Sequence, residues 1–135
     1  LARMSWAAPV LERGLPRSVV ESSLRNVYGA PSKVTPELVD RYFDLATREG
    51  NRAALMSRFG GRREPASTKP VSAITQPTLI LWGARDRLIP LAAGERFHSA
   101  IPGSEIVVFD DLGHVPQEED PARTVAAVQA FLARR

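Results

Sequence analysis

The spacing of apolar residues changes character partway along the chain. From Leu1 to about Lys69 it is helical, and no strand is expected there. "LPRSVVESSLRNVYG" sets Val20, Leu24 and Val27 on one face with Gly29 beyond them, the pattern of a short amphipathic helix stopped by glycine. "VTPELVDRYFDLATREG" carries the strongest helix signals: Thr35 as N-cap, Pro36 at the first helical position, Glu37 in the first turn and Gly50 as the stop. A third helix is expected to begin at Asn51 in "NRAALMSRFGG", and "GGRREPASTKP" reads as a polar linker.

From Val71 onward the pattern becomes strand, helix, strand, helix. The continuous apolar run in "PTLILWG" predicts a strand over 78–82, buried on both faces. "LAAGERFHSAI" predicts a helix over 91–100 with Leu91, Phe97 and Ile101 as its apolar face, and "SEIVVFD" a second buried strand over 104–109. "DPARTVAAVQAFLARR" predicts a closing helix over 120–135, with Asp120 as N-cap, Pro121 at the first helical position, and Val125, Val128, Phe131 and Leu132 facing inward. This order makes the two strands parallel with a right-handed crossover. The expected fold class is α/β, with residues 1–69 a helical segment plus linker and 70–135 an α/β core. Two parallel strands make too small a sheet to stand alone. A partner, such as a second copy, is expected to complete the sheet, or the chain is the C-terminal part of something longer.

Composition narrows the function classes. A chain of 135 residues, 44% hydrophobic, is one compact domain or a piece of a larger one. No apolar run approaches the roughly 20 residues needed to span a bilayer, and "LARMSWAAPVLERG" lacks a secretory apolar core. A cytoplasmic protein without a membrane partner is the expectation. The lack of cysteine excludes a disulfide framework, a thiolate nucleophile and a cysteine-ligated zinc site. The net charge of +3 comes from arginines interspersed with acids, as in "VDRYFDLATREGNR", with no basic stripe of the kind that nucleic acid requires.

In an open parallel sheet, functional side chains gather in the loops at the carboxyl ends of the strands. Asp86 lies in one such loop, "GARDRLIP", and His114 in the other, "DDLGHVP". Strands about 4.8 Å apart bring these two loops together on one edge. A carboxylate that accepts from one imidazole nitrogen fixes the tautomer and stabilises the cation formed when the other nitrogen takes a proton. Such a pair is the base half of a nucleophilic triad, and it needs a third member. Asp110 and Asp111 compete for the acid's place but stand too near His114 in sequence. His98 is expected on the surface of the crossover helix, and His98, His114 and "QEED" lack metal-ligand spacing, so neither metal nor cofactor is expected. The acidic run Glu118 to Asp120 reads as a helix N-terminus, and Trp82 as strand packing. Trp6, Tyr28, Tyr42, Phe43, Met56 and Phe59 are either pocket lining or helix packing.

On these residues the chain resembles the C-terminal part of the α/β-hydrolase family. "PTLILWGARDRLIP" is similar to the segment around the family's seventh core strand, through Gly83, Asp86 and Pro90. "IPGSEIVVFDDLGHVPQEEDPARTVAAVQAFL" is similar to the eighth strand, histidine loop and terminal helix, through Gly113, His114, Pro116, Glu118 and Pro121. The helical half looks like the cap of the haloalkane-dehalogenase-like, epoxide-hydrolase-like and esterase members. The resemblance implies Asp86 as triad acid, His114 as general base and a small apolar, ester-like substrate under the cap. The G-x-S-x-G nucleophile elbow, its aspartate-bearing equivalent and the H-G oxyanion loop do not occur in this sequence. No nucleophile is therefore expected in the chain, and in isolation it is expected to be inactive. An aspartate nucleophile elsewhere, as in dehalogenases and epoxide hydrolases, is the second option. A non-catalytic remnant that self-associates is the competing class.

Overall fold

The computed structural model describes residues 14–51, 54 and 70–134. The chain divides into two compact units, Leu1–Leu24 with Val34–Pro65, and Arg25–Lys33 with Ala66–Arg135.

The described residues of the first unit form helices and the turns between them, with no strand among them. Helix α1 (Arg17–Val27) begins in it and buries Val20 and Leu24, one turn apart on the same face. Helix α2 (Pro36–Thr47) starts as its sequence predicts, with the Thr35 hydroxyl accepting from Leu38 N–H at 3.2 Å and Pro36 following. The Glu37 carboxyl there sits below its ordinary range, because its own backbone N–H and the Thr35 hydroxyl donate to it. Arg17 ties the two helix starts together, donating to Asp40 at 2.6 Å and to the Pro36 carbonyl at 3.1 Å. Helix α2 stops at Thr47, before the expected Gly50. Arg48 turns to an extended ψ of 144°, and Asn51 Nδ2 donates back to the Leu45 carbonyl at 2.7 Å. Asn51 and Ala54 have helical backbone, whereas the remainder of the expected third helix and the linker through Lys69 lie outside the described residues.

In the second unit strand β1 (Leu79–Gly83), helix α3 (Leu91–Ala100), strand β2 (Glu105–Phe109), a short helix α4 (Pro116–Glu119) and helix α5 (Pro121–Leu132) follow in order. The strands are parallel and in register from Leu79 opposite Glu105 to Gly83 opposite Phe109. Asp120 caps α5 through Arg123 N–H at 3.1 Å, with Pro121 next. Gly94 of α3 rests on the Trp82 ring of β1, where a Cβ would stand 2.7 Å from Cε3. Ile101, Phe109, Leu112 and Phe131 are buried in this unit.

Three expectations about burial require correction. The strands are mostly half-buried rather than enclosed on both faces, and Val108 is exposed. Among the described residues each strand has one hydrogen-bonded neighbour strand, and so narrow a sheet does not form the enclosed core of a wide parallel sheet. On α5 only Phe131 of the four expected residues is buried, together with Thr124, while Val125 and Leu132 are 52% and 61% exposed. Likewise Phe97 on α3 is exposed, and the inward position is taken by Gly94 against Trp82.

Candidate active site

The register of β1 and β2 ends both strands at the same level, and the loops beyond them are stitched to one another. Ala84 N–H donates to the Phe109 carbonyl and Arg85 N–H to the Leu112 carbonyl, both at 2.9 Å. Gly83, at the end of β1, lies so close to the second loop that a Cβ would overlap the carbonyl oxygens of Gly113 and Leu112. A residue without a side chain is needed there for the two strand-end loops to meet.

The structure brings together the two residues singled out in the sequence. Asp86 Oδ2 accepts from His114 Nδ1 at 2.8 Å. The other oxygen, Oδ1, accepts from the backbone N–H groups of Leu88 and Ile89 at 2.8 and 2.9 Å, so the carboxylate's orientation is fixed by its own loop. The aspartate side chain is 5% exposed and the histidine side chain 34%. A carboxylate acting purely as acceptor requires the proton on Nδ1, which leaves the Nε2 lone pair as the basic site. Both residues line a cleft of about 100 Å³ with Leu81, Trp82, Gly83, Gly113 and Pro116. Substrate pockets hold roughly 300–1,000 Å³. The cleft is therefore too small to enclose a substrate of that size by itself.

The histidine loop is held from below. His114 N–H donates to the Val27 carbonyl at 2.8 Å. The Glu119 carboxylate, 8% exposed, accepts from Gly113 N–H at 2.6 Å through Oε1 and from Gly29 N–H at 2.8 Å through Oε2. Arg87, next to Asp86, donates to the carbonyls of Arg25 and Tyr28 at 3.2 and 3.0 Å. Residues 25–33 thus brace both loops.

The remaining expected residues separate clearly. Asp111 pairs instead with Arg123 at 2.7 Å, and this hydrogen bond holds its carboxyl below the usual range and raises the Arg123 guanidinium. Arg123 also lies over the Phe109 ring, 5.2 Å from its centre. Asp110 is exposed. His98 is exposed on α3, with its Nδ1 3.1 Å from Ser104 Oγ. Glu118 and Glu119 lie in the first turn of α4 and Asp120 caps α5, where the acidic run is expected to mark a helix start; Glu119 has a further role, its carboxylate pointing into the protein. Tyr28 is buried, its hydroxyl donating to Glu118 at 3.2 Å. Tyr42 and Phe43 are half-buried in the helical unit, and Trp6, Met56 and Phe59 lie outside the described residues. Glu119 and Arg87 were missed as supports because their partners are backbone groups of residues 25–29, distant in sequence. The available signal was Gly29, which does more than stop a helix, since a Cβ there would overlap the backbone of Asp111, Leu112 and Gly113.

Among the described residues no helix is long and apolar enough to cross a membrane, and no group of three or more His, Asp or Glu is placed to hold a metal ion.

Comparison with known proteins gives one consistent answer. A model described as the alpha/beta hydrolase family matches residues 1–128. A 2-hydroxy-6-oxononadienedioate/2-hydroxy-6-oxononatrienedioate hydrolase of Pseudomonas sp. is 34% identical over 132 residues, covering 92% of this chain and 46% of its own length. The uncharacterised hydrolase YugF of Bacillus subtilis is 29% identical, over 82% of this chain and 41% of its own length. The chain thus spans about half the length of these relatives. Among solved structures, a thermophilic esterase from Thermogutta terrifontis superposes with a TM-score of 0.75 at 26% identity, over 98% of this chain and 48% of that one. A meta-cleavage product hydrolase from Pseudomonas fluorescens matches with a TM-score of 0.77 at 23% identity, over 88% and 46%, a likeness of fold.

Proposed function

This chain belongs to the alpha/beta hydrolase family, and from that premise we propose that it supplies the acid and the general base of a hydrolase whose nucleophile lies outside these residues. His114 takes the nucleophile's proton at Nε2, and Asp86 holds the ring and stabilises the imidazolium that results. After attack at a carbonyl carbon the same imidazolium returns the proton to the leaving group. Serine-type ester hydrolysis is the leading reaction. The observation that carries this reading is the 2.8 Å bond from His114 Nδ1 to a nearly buried Asp86 carboxylate, formed between the ends of adjacent parallel strands.

The sequence holds no G-x-S-x-G elbow, and the cleft beside His114 is too small to enclose a substrate by itself. The nucleophile, the oxyanion donors and most of the pocket wall are accordingly assigned to a further segment or a second chain. The 34%-identical Pseudomonas relative, named for hydrolysis of a 2-hydroxy-6-oxo-dienedioate, favours that as a second substrate class.

The test is hydrolysis of p-nitrophenyl esters by the 135-residue chain alone, which should not exceed the buffer rate. Robust turnover that is lost in His114→Ala yet insensitive to serine-directed phosphonates would overturn the proposal, because the chain would then carry its own means of attack.

A further inference from the structure

The proposed base needs its ring nitrogen kept within hydrogen-bond reach of Asp86, yet His114 stands in a loop whose preceding residue is glycine. The loop has no regular pairing of its own at this point. What fixes it is a three-part clamp. Val27 accepts from His114 N–H, Glu119 accepts from Gly113 N–H, and Glu119 accepts in turn from Gly29 N–H on the segment that carries Val27. The fit leaves no slack, since a Cβ on Gly113 would overlap Gly29 N and the Val27 carbonyl, and would stand 2.9 Å from Glu119 Oε1. Lys33 Nζ donates to the Glu119 backbone carbonyl at 3.0 Å and holds that residue in place.

We propose that Glu119 is a positioning residue for His114: its buried carboxylate ties the histidine loop to the Val27–Gly29 segment and so sets where the imidazole meets Asp86. The inference rests on the acid–base reading of Asp86 and His114. Glu119 lines no part of the cleft and acts through the backbone alone. Two acceptor oxygens are essential to it, because two N–H groups converge on one side chain. Glutamine has nearly the same shape but one acceptor, and its amide group would set a donor against one of these N–H groups.

The experiment compares wild type, E119Q and, as control, E95Q at an exposed position of α3, all labelled with ¹⁵N. Ring ¹⁵N shifts in mildly alkaline buffer report the His114 tautomer, and amide exchange reports the clamp. In wild type and E95Q the proton resides on Nδ1. In E119Q the Gly113 and Gly29 amides exchange at least about tenfold faster, as expected for loss of a hydrogen bond to a carboxylate, and His114 becomes a mixture of tautomers. E119D, which keeps both acceptors but draws them back by one methylene, is read in the same way should E119Q fail to fold. A folded variant with the wild-type His114 tautomer overturns the proposal for Glu119 alone. A wild-type ring protonated on Nε2 instead overturns the underlying Asp86–His114 reading.

Discussion

Replacing Asp86 by asparagine separates the two tasks of its carboxylate. Oδ1 receives the N–H groups of Leu88 and Ile89, and an asparagine carbonyl can still accept both. Oδ2 receives His114 Nδ1–H at 2.8 Å, and an asparagine NH₂ placed there cannot accept. It donates instead, so the imidazole must expose a lone pair at Nδ1 and carry its proton on Nε2. The loop is retained and a charge-assisted hydrogen bond becomes a neutral one, which at this nearly buried site costs about 1–2 kcal/mol of stability. The functional cost is far larger. With Nε2 protonated the ring cannot act as base, and in a hydrolase completed by its nucleophile a wrong tautomer of this kind lowers kcat by about 10⁴-fold. Urea unfolding of this chain reads the stability loss, and ring ¹⁵N shifts of His114 read the tautomer. The reasoning is refuted if D86N leaves the proton on Nδ1, since something other than Asp86 would then be setting the tautomer.

Two further outcomes test the scaffold. Leu112, 0% exposed between Phe109 and the histidine loop, should cost about 2–5 kcal/mol as Leu112→Ala in urea unfolding; a loss below about 1 kcal/mol would contradict its place in the core. Asp111 and Glu37 have folded-state values below their unfolded ones, so their contribution is complete above the unfolded range and is lost as pH falls through the lowered folded values. Urea midpoints should fall on acidification, less steeply when salt screens the exposed Asp111–Arg123 pair, and an Arg123→Met variant whose acid profile matched wild type would contradict the origin assigned to the Asp111 shift.

What could be read from the sequence was local or periodic. The N-caps at Thr35 and Asp120 are each specified by a polar residue followed by proline, and both form. The β1 and β2 runs were legible to within one residue, and their parallel pairing followed from the helix between them. That pairing also placed Asp86 beside His114, because strands that end in register bring their loops together. Burial was less legible. The apolar positions Val125, Val128 and Leu132 mark a face suited to burial, but a pattern cannot say whether a neighbour is present, and in this chain they are exposed. The role of Glu119 was hidden for a different reason. In sequence it stands among acids at the start of a helix, and only folding places the amides of Gly29 and Gly113 at its two oxygens.

The central claim, that Asp86 and His114 form the acid–base pair of a hydrolase completed by other residues, is tested most directly by joining this chain to a segment that bears the nucleophile elbow. Hydrolysis of p-nitrophenyl acetate is then measured with and without His114→Ala. The account predicts a loss of about 10²–10⁴-fold in kcat, the contribution of a positioned general base, with the fold intact by circular dichroism. Turnover undiminished by the substitution would contradict it.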